Sequence, residues 1–94
     1  MIARIRLLEP NDVPYVLECW VQTERQYSYA SNAHIRALAR SRLESAITVV
    51  AVVPDDSDAI LGFACVEKTG RVLMTYVRRA ARGLGICKQL FGGQ

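Results

Sequence analysis

Apolar positions along the 94 residues switch between a period of two and a period near 3.6, and each switch marks an element. Residues 2–8, Ile-Ala-Arg-Ile-Arg-Leu-Leu, alternate and predict a first strand with Arg4 and Arg6 outward. Glu9-Pro10-Asn11-Asp12 breaks that strand and offers Asn11 or Asp12 as a helix N-cap. Pro14 then falls in the first turn, where its missing N–H has no helical partner to lose. Val13, Val16, Leu17, Trp20 and Val21 recur at helical spacing, so a first helix runs to about Thr23. Residues 26–32, with Tyr27 and Tyr29 among polar neighbours, read as a loop. From Ala33 to Ala46, one face carries Ile35, Leu38, Ala39, Leu43 and Ala46 and the other Arg36, Arg40 and Glu44. That is a second amphipathic helix, with His34 on its surface.

The second half is strand-like. Thr48 to Val53 is a nearly continuous β-branched run, the pattern of a strand buried on both faces. Pro54 to Asp58 is a turn by composition, Ile60 to Glu67 the partner strand, and Lys68-Thr69-Gly70 a second turn. Val72 to Val77 is a fourth strand. Arg82-Gly83-Leu84-Gly85 then opens a short helix toward Leu90 and Phe91, which Gly92 and Gly93 end. The order β-α-α-β-β-β-α describes one α+β domain over residues 1–94, with a mainly antiparallel sheet. Val50, Val52, Leu61, Phe63 and Leu73, with Trp20, are its expected core.

Composition narrows the class. A hydrophobic fraction of 51% with mean hydropathy +0.12 fits a folded chain. No run approaches the roughly 18 apolar residues of a membrane span, and the N-terminus lacks a signal-peptide core, so the reading is cytoplasmic, with no membrane partner. Cys19, Cys65 and Cys87 are far apart and His34 is the single histidine, which is too few ligands for zinc and fits reduced thiols. Charge is unevenly placed. Six of the twelve basic residues, and none of the nine acidic ones, lie from Lys68 onward. Such an end suits either an anionic ligand or a solvated basic surface. Its only aromatic residues are Tyr76 and Phe91, too few for a base-stacking platform, which argues against a nucleic-acid partner.

The most informative stretch is Thr75-Tyr-Val-Arg-Arg-Ala-Ala-Arg-Gly-Leu-Gly-Ile-Cys-Lys-Gln-Leu90, where a strand enters a basic, glycine-containing loop that becomes a helix. Unpaired first-turn N–H groups, the helix dipole and close backbone approach at glycine together suit a phosphate. The dinucleotide fingerprint fails because Lys88 stands where a third glycine is needed, and a Walker loop is absent. Without a ligand, the same stretch is a strand–turn–helix whose glycines allow a tight corner.

Arg82-Gly83-Leu84-Gly85-Ile86-Cys87 resembles the acetyl-CoA signature Gln/Arg-x-x-Gly-x-Gly/Ala of the GNAT superfamily of N-acetyltransferases, departing only at Cys87. The layout of strand, two helices, three-strand meander, loop and helix is similar too. Tyr76-Val77, the Cys19-Trp20 helix and the Tyr27–Asn32 segment further resemble small GNAT-like proteins encoded by bacteriophages. The resemblance implies acetyl-CoA or CoA as cofactor, its pyrophosphate on the N–H groups of Arg82, Gly83, Leu84, Gly85, Ile86 and Cys87, with Lys88 adjoining. It implies that the main chain of Leu73, Thr75, Tyr76 and Val77 pairs with the pantetheine arm, and that an N–H near Tyr76 or Val77 polarises the thioester carbonyl. In the family a tyrosine acid and a splayed fifth strand follow the motif, and neither has a counterpart here.

Acetyl transfer to an amine needs a base for the ammonium proton and an acid for the thiolate. Glu67 and Tyr76 are the candidates, against readings as a solvated strand-end carboxylate and a packed ring. Cys87 is either an activated nucleophile beside Arg82 and Lys88 or a small residue in place of alanine. Two function classes follow: an acetyl-CoA-binding N-acetyltransferase, or a catalytically silent module of the same fold that binds and modulates a host protein. The strand at 72–77, as an exposed edge, further predicts a homodimer or a host-protein complex over residues 72–91.

Overall fold

The computed structural model describes residues 2–92. Arg4–Leu7 forms β1, Val13–Glu24 α1, Asn32–Ser45 α2, Ile47–Val53 β2, Asp56–Val66 β3, Val72–Val77 β4 and Ile86–Leu90 α3, with 3-10 turns at Pro10–Asp12 and Arg79–Ala81. The predicted order of elements is the order found. Sheet order is β1-β2-β3-β4 with every neighbouring pair antiparallel, so β1 and β4 are its edges.

Alternation along the central strands divides the core in two. Val50, Val52, Ile60, Phe63 and Cys65 face α1 and α2, where they meet Val16, Leu17, Trp20, Ile35 and Ala39. Ala51, Leu61 and Ala64 face the other way, against Ala81, Ile86 and Leu90 of the segment around α3. A register shift opposite Ala51 and Val52 leaves two residues between Ile60 and Phe63 on the α1/α2 face. Gly62 sits at that irregularity, and a Cβ there would lie 2.5 Å from the Tyr76 carbonyl oxygen. The close approach of β3 to β4 therefore depends on this glycine. Of the expected core, Val50, Val52, Leu61, Phe63 and Trp20 are buried and Leu73 is half-buried.

Local differences from the sequence reading have physical causes. β3 begins at Asp56 rather than Ile60, because Pro54 and Asp55 alone make the turn and Asp56 pairs with Val53. Arg6 is not outward: its guanidinium grips Asp12 through Nη1–Oδ2 at 2.7 Å and Nη2–Oδ1 at 3.0 Å, and donates to Ser57 Oγ and the Ser57 carbonyl. Asp12 spends its carboxylate there and on the Glu9 N–H, 2.7 Å away, and does not cap α1 through its side chain. Ser31, accepting from the His34 N–H, caps α2. Leu38 is half exposed, since only Ile35 and Ala39 of α2 are fully buried. Gly92, with φ of 90° and its N–H on the Gln89 carbonyl, ends α3 as expected; Gly93 lies outside the described residues.

α3 covers only part of its sheet face. Leu7 pairs with Val49, and Ile47 with Val66, on the face where α3 packs, yet Leu7 and Ile47 stay 66% and 52% exposed.

Candidate functional site

The site grows out of the end of β4. Arg78 donates its N–H to the Leu61 carbonyl at 2.7 Å, the last rung holding the strand to β3. The chain then makes the 3-10 turn at Arg79–Ala81, burying Ala81, and reverses through Gly83 and Gly85 into α3. Both glycines have positive φ, 82° and 79°, a region that side chains disfavour. Arg82 fixes the corner by donating Nε–H to the Val77 carbonyl at 3.0 Å. α3 is pinned by buried Ile86 and Leu90 and by Gln89, whose Oε1 accepts the Ala3 N–H at 2.7 Å.

Five of the six motif residues, Arg82, Gly83, Gly85, Ile86 and Cys87, line one cavity of about 190 Å³ together with Val77 and Ala81. Leu84 projects outward, 43% exposed, and Lys88 is exposed on α3. A Cβ on Gly83 would meet nothing within 4 Å, and one on Gly85 only the Gln89 side-chain nitrogen at 3.9 Å. Open space therefore stands before the backbone at both positions. N–H groups in the first turn of a helix have no acceptor one turn earlier, which applies to Ile86, Cys87 and Lys88. Cys87 is exposed at the cavity wall.

The other sequence candidates are placed differently. Leu73, Thr75 and Tyr76 lie along β4, whose second edge has no strand beside it among the described residues. Glu67 follows the end of β3 at the opposite end of β4 from the glycine loop. There its carboxylate is 3.8 Å from Arg71 Nε. Glu67 and Tyr76 are thus not brought together as a pair about one cavity. The Tyr76 ring stacks on Phe63 with centroids 5.5 Å apart, so it does pack.

Sequence reasoning missed what surrounds the Tyr76 hydroxyl. Tyr15 and Cys19, one turn apart on α1, lie close enough to it that the two phenols and the thiol act on one another electrostatically. Burial, with Cys19 close by, raises both phenol pKa values, while Arg78 opposes the shift at Tyr15 and Arg82 at Tyr76. The i, i+4 spacing of Tyr15 and Cys19 was a visible signal, but their convergence on β4 is tertiary.

Larger hollows exist elsewhere. One of about 590 Å³ lies between α1 and α2, lined by Val13, Leu17, Glu18, Arg36 and Arg40 among others. One of about 420 Å³ lies beside Tyr15, Asp58 and Arg78. Among the described residues, no group of three or more His, Cys, Asp or Glu is placed to hold a metal ion. Nor is any helix long and apolar enough to cross a membrane.

No protein-family model matches the chain, and no curated protein is significantly similar to it in sequence. Solved structures are similar in fold. A GCN5-related N-acetyltransferase from Rhodopseudomonas palustris superposes with a TM-score of 0.70 at 20% identity, over 97% of this chain and 62% of its own. A GNAT family acetyltransferase from Brucella melitensis, solved in complex with acetyl-CoA, gives 0.65 at 19% identity, over 96% and 64%. A predicted acetyltransferase from Clostridium acetobutylicum, also solved with acetyl-CoA, gives 0.65 at 11%, over 96% and 69%. The chain spans less than two thirds of the first two of these proteins. At such identities the likeness shows the fold: this chain has the fold of the corresponding part of GNAT acetyltransferases.

Proposed function

We propose that the chain binds acetyl-CoA or CoA at the Arg82–Cys87 loop and that its activity is transfer of the acetyl group to an amine. The observation that carries this reading is the loop's cavity at the end of an open edge strand. The residues that match the cofactor signature line it, and open space stands where Gly83 or Gly85 side chains would be. Two of the similar structures hold acetyl-CoA, which supports the same ligand here. At about 190 Å³ the cavity suits a pyrophosphate, not a whole cofactor. The pantetheine arm would run along the free edge of β4, from Val77 through Tyr76 and Thr75 toward Leu73, on main-chain hydrogen bonds.

When bound, acetyl-CoA supplies an acetyl group already activated as a thioester. What remains for the chain is to bind the phosphates, present the strand edge and move protons. Arg82 and Lys88 add positive charge beside the loop, and Arg82 keeps it anchored to Val77. Tyr76 is the better placed of the two proton-transfer candidates, because it is on β4, the strand proposed to meet the pantetheine arm, with Tyr15 and Cys19 near its hydroxyl. The raised pKa keeps the Tyr76 phenol protonated at neutral pH, so it holds a proton that a departing thiolate can take, but it also makes the phenol a weaker acid than a free one. Glu67, engaged by Arg71 beyond β3, is a surface carboxylate in this reading.

The second reading, a module of the same fold that binds a protein without chemistry, is favoured by one feature. Leu7, Ile47 and Val72 are exposed on or beside the sheet face that α3 leaves uncovered. Cover from a second copy or another protein would bury them, and a concentration-dependent mass in sedimentation tests this. For the cofactor, isothermal titration with CoA and acetyl-CoA is the test. Micromolar to millimolar binding that weakens with added salt is expected. Silence at millimolar ligand would leave the protein-binding reading in its place.

A further inference from the structure

Basic residues also gather at the other end of β4, where the sequence analysis assigned Glu67 and the main chain of Leu73 but none of the basic side chains. The last turn of α2 and the β3–β4 connection enclose a cavity of about 400 Å³, with Arg42 and Ser45 on the helix side and Lys68, Thr69 and Arg71 on the hairpin side. Leu73, next to the first residue of β4, forms its apolar wall.

The charges there do not cancel. Glu67 is the only acidic residue in the lining, and Arg71 is its partner at 3.8 Å. Among the described residues, Arg42 and Lys68 have no ion pair. Three cations against one carboxylate leave a net +2, from which the C-terminal carbonyls of α2 subtract about half a charge. Arg42 is half-buried and lines the cavity from the last turn of α2. The Ser45 and Thr69 hydroxyls add a further donor on each side of the cavity.

We propose that this cavity is an anion-binding site for the phosphate monoester group of a small molecule. A monoester carries about −1.5 to −2 charges at neutral pH and three acceptor oxygens, which matches the charge left over and the mixture of guanidinium, ammonium and hydroxyl donors. A planar, forked donor at Arg42 and a flexible point charge at Lys68 are complementary ways of holding such a group. The cavity is wider than a bare phosphate, so it leaves room for the ester substituent against Leu73. This site is independent of the glycine loop. β4, six residues or about 20 Å of extended chain, runs between the two, which share only Leu73: its main chain would meet the pantetheine arm and its side chain lines this cavity, so both can be filled at once.

The test is a titration of the ¹⁵N-labelled chain with phenyl phosphate, followed by amide shifts, with and without saturating CoA. Millimolar binding is expected, with shifts at residues 42–45 and 67–71 that CoA does not abolish. The double variant R42Q/K68Q should bind about tenfold more weakly or worse, while its response to CoA is kept. If that variant does not fold, Lys68→Gln alone, at an exposed turn position, should still weaken phenyl phosphate severalfold. The proposal is overturned by no shift at tens of millimolar ligand, by shifts confined to residues 82–88, or by variants that bind like the parent. Tight binding of a single-stranded oligonucleotide at these residues, with none of phenyl phosphate, would also overturn it in favour of a nucleic-acid surface. Failure of CoA to bind leaves this site untouched and counts only against the cofactor reading.

Discussion

Two glycines make a matched pair for separating backbone strain from ligand contact. Gly85 opens α3 with φ of 79°, and Gly70 turns the β3–β4 connection with φ of 94°. A Cβ on Gly70 would meet nothing within 4 Å, and one on Gly85 would be 3.9 Å from the Gln89 amide nitrogen, an ordinary contact. Alanine at either position therefore pays for conformation alone, about 1–2 kcal/mol for a side chain held in the left-handed region. For a domain of this size that is a fall in Tm of about 5–15 °C, similar in both variants. Their responses to CoA should differ. At a hundredfold excess over Kd, a ligand that binds only the folded state adds about 2.7 kcal/mol, which raises Tm by more than about 10 °C. Gly70→Ala should keep that gain in full, whereas Gly85→Ala places a methyl group before the loop and should lose most of it. Thermal melts by circular dichroism, with and without CoA, read both effects. An equal gain in the two variants would show that the glycine loop does not hold the cofactor, and a gain in neither would say the same of the parent.

Three further outcomes follow from the fold. The hydrogen bond from Arg6 holds the Asp12 carboxyl below its usual pKa, so its stabilisation is complete above the ordinary carboxylate range and is lost as pH falls through that range and below. Asp12→Asn, which leaves Arg6 only the exposed Glu9 as an ion-pair partner at a site where the Arg6 and Asp12 side chains are only 12% and 7% exposed, should cost about 3 kcal/mol in urea unfolding and flatten the acid dependence. Gly62→Ala should destabilise by about 1–3 kcal/mol or more, because the new methyl meets the Tyr76 carbonyl, which is backbone and cannot turn aside. Thr48→Val should be neutral or stabilise by up to about 1 kcal/mol, since the Thr48 hydroxyl is buried without a hydrogen-bond partner; a large loss would mean that Cys65, opposite it in the ladder, does accept that proton.

The pattern that was legible in the sequence is the pattern carried by contiguous residues. Val49 to Val53 could be little else but a buried strand, and Val16, Leu17, Trp20 and Val21 fix the buried face of α1. The glycine loop was legible for the same reason, since its geometry comes from adjacent backbone groups and two positive φ angles. β1 shows where such reasoning stops. Its alternation was right and Arg4 is exposed as expected, but Arg6 and Leu7 are not where the pattern put them. Arg6 points to the side of the large core, where Asp12 and Ser57 receive it, and Leu7 points to the side that α3 fails to cover. Charge suggested the opposite, because the partners that neutralise Arg6 come from elsewhere in the chain. The polar start of β3 was read as turn because Asp56, Ser57 and Asp58 are turn-forming residues, yet the pairing of Asp56 with Val53 prevails. Tyr15, Cys19 and Tyr76 meet only through the docking of α1 on the sheet, so no spacing rule could have joined all three.

The central claim is one of place: an acetyl-CoA pyrophosphate on the backbone of Arg82 to Cys87, with the rest of the molecule along β4. Amide shifts of the ¹⁵N-labelled chain during titration with acetyl-CoA test it most directly. The largest changes are expected at residues 82–88, smaller ones from Val77 back toward Leu73, and none at the groove between α1 and α2. Shifts centred on that groove, around Leu17 and Arg36, or no shift at millimolar acetyl-CoA, would contradict it.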